Sequence, residues 1–155
     1  MKIRPATPID APRMSEILQT ILDSWSSARP GSVQHITSFY INHPDQVSCL
    51  VALSGTGQVI GFQSLKKVGV GNEYDVTPGW GVIGTYVDLT LPRKGVGRLL
   101  FKQTIKNAQE SGIEFIDATM SKTNARAVSF YEAIGFRTYR TEGDTVYKFC
   151  SVASS

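Results

Sequence analysis

Between residues 82 and 120 the chain passes through a β-type segment, a basic loop with two glycines, an amphipathic helical stretch and a second apolar β-type segment. That succession leaves few folds open. A strand, helix and strand of these lengths form a crossover, so residues 82–87 and 115–120 are expected as parallel neighbours in one sheet. Ligands of such sheets bind beyond the carboxyl ends of the strands. The loop that follows residue 87 lies there and contains Pro92-Arg93-Lys94-Gly95-Val96-Gly97-Arg98. Gly95 and Gly97 permit a tight turn and close approach of a ligand, and the first N–H groups of the next helix carry partial positive charge. Arg93, Lys94 and Arg98 add full charges at the same place. The junction suits a phosphate. Gly-x-Gly alone is a weak signal, and a surface turn with solvated charges is its plain alternative. A nucleotide P-loop is excluded because no Gly-Lys-Ser/Thr follows, and a dinucleotide fold because the third glycine is missing at its required spacing.

The rest of the chain supplies the other layers. Residues 2–5 read as a short strand, and Asp10 is placed to cap a helix with apolar positions Met14, Ile17, Leu18, Ile21, Leu22 and Trp25. A second helix is expected over 33–41, ended before Pro44. Runs 49–53 and 59–65 flank Ser54-Gly55-Thr56-Gly57, a hairpin signal. Residues 68–79, rich in Gly, Asn, Asp and Pro, read as a mobile connection and a candidate substrate loop. After the crossover come a helix over 124–134 closed by Gly135 and a strand pair, 136–141 and 146–152, around Gly143-Asp144. The expected architecture is an α/β (α+β) mixed sheet, mostly antiparallel, with flanking helices.

At 155 residues and 41% hydrophobic composition, one domain over 1–155 is the working expectation. A net charge of +3 with dispersed basic residues argues against nucleic acid as a partner. Cys49 and Cys150 lack metal-ligand spacing and read as small strand residues in a reducing compartment, and no metal site is expected. No apolar run approaches the ~18 residues of a membrane span, so a soluble cytoplasmic protein is expected.

Two segments together resemble one family. The strand ending in Val87 with its basic Gly-x-Gly loop, and the downstream Asn124-Ala125-Arg126-Ala127-Val128-Ser129-Phe130-Tyr131-Glu132-Ala133-Ile134-Gly135-Phe136, are similar to the signatures of the GCN5-related N-acetyltransferases. Asn124, Phe130-Tyr131 and Gly135-Phe136 keep the family's spacing, and the order of elements agrees over nearly the whole chain. Ile3-Arg4-Pro5-Ala6 and Thr85-Tyr86-Val87 look most like the phosphinothricin-type amine acetyltransferases.

The resemblance implies the acyl-CoA acyltransferase fold with a splayed parallel strand pair, and transfer of acetyl from acetyl-CoA to a primary amine of a small molecule or peptide. It implies a pyrophosphate cradle from Arg93, Lys94, Gly95, Val96, Gly97 and Arg98, and a pantetheine edge at Thr85, Tyr86 and Val87. It also implies a cofactor contact at Asn124, and Tyr131 as the acid that protonates the leaving thiolate. Read without it, Asn124 is a good helix N-cap and Tyr131 a core residue at helical spacing. Protein amino termini or lysines remain alternative acceptors, an acyl-CoA sensor remains an alternative of another class, and a homodimer stays open.

Two departures stand out. The family often carries a glutamate on the strand before the loop as proton acceptor, whereas Trp80-Gly81-Val82-Ile83-Gly84 has no carboxylate. Glu73 and Asp75 are the candidates nearby, with solvated loop charge as their plainer reading, and Asp88 reads as a turn former. Pro92 stands where the family often has Arg or Gln and has no N–H to donate. Trp25, Phe39, Tyr40 and Trp80 are candidates for an acceptor wall, with core packing the simpler reading.

Overall fold

The computed structural model describes residues 1–92 and 95–153. Seven strands form one sheet in the order β1-β2-β3-β4-β5-β7-β6. They are β1 Lys2–Pro5, β2 Gln46–Leu53, β3 Val59–Lys67, β4 Gly81–Val87, β5 Phe115–Ser121, β6 Arg137–Glu142 and β7 Thr145–Ser151. The helices are α1 Ala11–Ser24, α2 Val33–His35 running into a π-helix Ile36–Ile41, α3 Val96–Glu110 and α4 Ala125–Ala133. Every strand pair is antiparallel except β4 with β5. The crossover expectation and the mostly antiparallel sheet therefore hold.

Period-two alternation on β2 and β3 sends side chains to two separate cores. Cys49, Val51 and Phe62 meet Met14, Leu18 and Leu22 of α1 and Ile36 and Tyr40 of the π-helix. On the other face, Leu50, Ala52 and Ile60 meet Val96 and Leu100 of α3. Farther along the sheet, Ile116, Ala118 and Cys150 pack with Phe101, Ile105, Tyr131 and Phe136. Both cysteines are buried. Burial pushes the Cys49 thiol up to about 12, which keeps it a protonated core side chain.

The feature that shapes the site is how briefly β4 and β5 pair. Only Gly81↔Ile116 and Val82↔Asp117 are in register, although both strands continue for several residues. Beyond Val82 the strands part. From Ile83 onward, the edge of β4 that faces β5 has no ladder partner, while its other edge stays paired with β3 up to Val87.

Four local expectations are revised. Asp10 does stand at the α1 N-cap, but its carboxylate turns back to accept from Arg4 (2.8 and 2.9 Å) and from Thr7 N (2.8 Å). The expected helix over 33–41 is π-helical in its second part, and Gln46 Nε2 donates to Tyr40 O (2.8 Å) and to Ile41 O at its end. Trp25 lies past the end of α1 and is 43% exposed, so core packing does not describe it. Residues 68–80 form a tied loop where a mobile one was expected. Asn72 donates to Gly69 O and Val76 O and accepts from Tyr74 N and Val76 N.

Candidate active site

Beside the gap between β4 and β5, a chain of side-chain hydrogen bonds links α4, β4 and β3. Tyr131, on α4, donates its hydroxyl to Thr85 Oγ1 on β4 (2.9 Å), and Gln63 Nε2 on β3 donates to the same oxygen (2.9 Å). Gln63 stands directly opposite Thr85, which is why it reaches. Thr85 Oγ1 thus accepts from two sides. Gln63 Oε1 is buried with no hydrogen-bond partner among the described residues, an acceptor left over beside the gap. Tyr131 itself is buried, and burial raises its hydroxyl above the ordinary tyrosine value, so it is a proton carrier at neutral pH.

At the carboxyl end of β4 the two glycines do different work. Gly95 is the N-cap of α3 with φ +74°, a left-handed conformation that glycine adopts without a Cβ penalty. Gly97 has no such dihedral. A Cβ there would stand 2.7–2.8 Å from the Phe130 ring, so its role is to admit that ring against the first turn of α3. Phe130 neighbours Tyr131, and the two signature segments are thereby in contact. Among the described residues no side chain caps α3, which leaves its first-turn N–H groups facing the loop. Val96 is buried, Arg98 is exposed, and Gly95 and Arg98 border a groove of ≈ 780 Å³ that reaches Ile134 and Gly135 after α4. Arg93 and Lys94 lie outside the described residues. Asn124 is the N-cap of α4, accepting from Ala127 N (3.2 Å), which leaves its Nδ2 to donate elsewhere.

On the opposite face of the sheet, under α1 and the π-helix, aromatic side chains cover the end of β4. Tyr86 folds back over Gly84: a Cβ at 84 would meet Tyr86 Cε2 at 3.1 Å and its hydroxyl at 3.3 Å. Tyr40 donates to the Tyr86 hydroxyl (3.3 Å) and packs on Phe62. Of the carboxylates considered, Asp88 accepts from Thr90 N and Oγ1 (2.9 and 2.7 Å) and from Arg13, the bonding of a turn former. Asp75 is exposed and 3.4 Å from Arg140, and Glu73 is exposed. The plainer readings fit all three.

Two charged residues on this face were not singled out from sequence. Lys66, 3% exposed, has its Nζ 3.2 Å from the Phe39 ring centre and 3.3 Å from the Tyr74 hydroxyl, and among the described residues it makes no ion pair. Burial drives its pKa down to about 8, partly countered by Glu73 and Asp45 farther off. Asp117 is fully buried on β5 at the last register pair with β4. Thr119 Oγ1 and Tyr139 Oη each donate to it at 2.6 Å. Burial holds its carboxyl above the usual aspartate range, against the pull of those two donors and of Arg140. The available signal was a lone charge inside the apolar run Phe115-Ile116-Asp117-Ala118. Trp80 packs on Phe115, Tyr139 and Phe149, so the loop it ends lies against β5, β6 and β7.

These features agree with what the chain is similar to. Residues 14–136 match the family described as Acetyltransferase (GNAT) family, and the chain belongs to that family. No curated protein sequence matches it. Among solved structures, yncA of Salmonella typhimurium, determined with its cofactor acetyl-CoA, superposes with a TM-score of 0.79 at 20% identity, covering 98% of this chain and 94% of that one. Ribosomal-protein-alanine N-acetyltransferase from Brucella melitensis gives 0.78 at 18% identity, covering 97% and 99%. The GNAT domain of S. lividans PAT gives 0.79 at 20% identity, covering 96% and 89%. At these identities the likeness is one of fold.

Proposed function

We propose that the protein is an acetyl-CoA-dependent N-acetyltransferase acting on a primary amine of a small molecule or peptide. The observation that carries this reading is the parting of β4 and β5 after Val82 with the Tyr131 hydroxyl set at Thr85 on the gap. The residues fit the cofactor physically. The free β4 edge at Thr85, Tyr86 and Val87 can pair with the amides of an extended arm, as an added strand would. The uncapped start of α3 and Arg98 offer N–H groups and charge to a pyrophosphate, and Asn124 Nδ2 offers a further donor. When bound, acetyl-CoA supplies an acetyl group activated as a thioester.

What the chain itself does is hold and move protons. Gln63 and Tyr131 both donate to Thr85 Oγ1, which holds the Tyr131 O–H beside the gap. Turning that O–H from Thr85 into the gap presents it where a leaving thiolate needs a proton. Backbone N–H groups of the free β4 edge are suited to receive developing negative charge on a carbonyl oxygen.

Incubation with acetyl-CoA and a panel of primary amines, read as thiol release, tests the reading. Turnover on at least one amine is expected, and Tyr131→Phe should lower kcat about 10²-fold or more while the acetyl-CoA Kd holds. Binding of acetyl-CoA without turnover on any amine would favour the sensor reading instead. Undiminished turnover in Tyr131→Phe would remove the acid role.

A further inference from the structure

The reaction needs a proton acceptor for the amine, because a lysine-like ammonium with pKa ~10.4 is almost wholly protonated at pH 7. We propose that this proton leaves through the Tyr139 hydroxyl to Asp117, an assignment that rests on the acetyltransferase reading and locates on β5 what β4 lacks. Asp117 is the last β5 residue in register with β4, so it stands at the vertex where the strands part. It lies in one row with Val82 and Lys66 across three strands, and side chains opposite one another in a row share a face. That is the face of Tyr86 and Gly84, opposite to the face of Thr85 and Tyr131. Acid and proton acceptor are then on opposite sides of the gap.

The geometry suits a relay. Tyr139 Oη donates to one carboxylate oxygen and Thr119 Oγ1 to the other, both at 2.6 Å, so the carboxylate is fixed and has no cation in direct contact among the described residues. Asp117 is fully buried and does not itself meet an acceptor, whereas Tyr139 is 37% exposed on β6. Of the two hydroxyls, the phenol is the stronger acid and so the better relay, although burial and the Asp117 carboxylate hold it above the ordinary tyrosine value. In the transfer, an N–H bond of the ammonium breaks as an O–H bond forms on Tyr139. The original Tyr139 O–H breaks as one forms on Asp117. Ammonium and carboxylate become neutral amine and carboxylic acid, and charge balances.

Thr119 on its own strand and Tyr139 and Arg140 from β6 act on Asp117 directly, and across the sheet its charge reaches Tyr131 on α4. Arg140 is tied to Asp75 (3.4 Å) and near Glu142 (4.0 Å), which tempers its pull. The charge of Asp117 helps raise Tyr131. A proton arriving on Asp117 removes that charge, and Tyr131 then releases its own proton more readily. Uptake on one side of the gap thus favours donation on the other.

Asp117→Asn and Tyr139→Phe test the route with the panel's best primary amine and its fluorinated, weakly basic analogue, ethylamine and trifluoroethylamine being the smallest such pair. For the basic amine, kcat/KM should fall about 10²–10⁴-fold in Asp117→Asn. For the weakly basic analogue, largely neutral at pH 7, the loss should shrink to about tenfold or less, since little proton removal is needed. Tyr139→Phe should follow the same pattern and Thr119→Val should not. The acid limb of the wild-type kcat/KM profile, falling as pH drops through the Asp117 pKa, should disappear in Asp117→Asn. Independently of turnover, the carbon-13 carboxyl signal of Asp117 in the free protein should titrate above the usual aspartate range and move in Tyr139→Phe. Equal losses on both amines with an unmoved acid limb would make Asp117 a structural residue and overturn the route. So would wild-type rates in Asp117→Asn. A wild-type protein that turns over no amine at all overturns the acetyltransferase reading and the route together.

Discussion

Lys66→Met should stabilise the protein, and only where the lysine would be charged. The ammonium is 3% exposed, with three aromatic rings and one hydroxyl near it but no carboxylate within ion-pair distance among the described residues. Its pKa falls from 10.5 to about 8 on folding, a shift that corresponds to a charging penalty of about 3 kcal/mol. Cation–π attraction to Phe39 returns about 0.5–2 kcal/mol of that. The balance favours methionine by about 1–2 kcal/mol at pH 7, since the two side chains fill similar volume. The sign follows from proton counting: between pH 8 and 10.5 the unfolded chain binds more protons at this site than the folded one, so wild-type stability rises with pH through that window. The penalty is fully present below about pH 8 and gone above about 10.5. Urea unfolding of both proteins at pH 7 and pH 10 reads the difference directly, and at pH 7 the methionine variant should melt about 3–6 °C higher. A variant less stable at pH 7, or an equal difference at both pH values, would refute the assignment of a buried, unpaired charge.

Gly97→Ala should cost about 1–3 kcal/mol in stability and weaken acetyl-CoA binding, because its Cβ would displace the Phe130 ring from α3; trimming that ring in Gly97→Ala/Phe130→Leu should recover part of both, measured by melting and calorimetric titration. Asp10→Asn should cost about 1–3 kcal/mol near neutrality, since the buried carboxylate accepts from Arg4 and Thr7. The Asp10 pKa is lowered on folding, chiefly by the Arg4 hydrogen bonds, so this stabilisation is present above the unfolded value near 3.8 and lost as pH falls through the lower folded value. Acid unfolding of Asp10→Asn should accordingly lack that step; an unchanged acid transition would refute it.

Local patterning carried most of the architecture, and the exceptions are where tertiary contacts decide. The crossover over 82–120 specifies a parallel pair, yet nothing in either strand's alternation says that pairing stops at Val82. What the parted strand meets instead, Tyr131 of α4 at Thr85, is a contact between residues 46 apart in sequence. The loop over 68–80 looked mobile because glycine, asparagine and proline favour turns. Its order comes from one side chain, Asn72, satisfying four backbone groups at once. Trp25 fits a helical apolar spacing but lies one residue beyond the last turn of α1, where the face it would share has ended. The two glycines of the loop were legible as a pair, whereas their separate reasons, a left-handed cap and room for a ring, needed the packing of α4.

β4 carries no carboxylate, and at Gly84 its face is covered by the Tyr86 ring, which packs on Tyr40 and Phe62. A proton acceptor near the gap must then come from the only other strand that borders it, and β5 supplies a buried carboxylate at the last paired position. Burial costs that carboxylate stability, because the folded state favours its neutral form. An apolar residue in the run Phe115-Ile116-Asp117-Ala118 would avoid the cost, and two hydroxyl donors at 2.6 Å reduce it without abolishing it. A group kept at such a position despite its desolvation is one whose protonation the fold has made sensitive to its neighbours, and the neighbour across the gap is the Tyr131 hydroxyl.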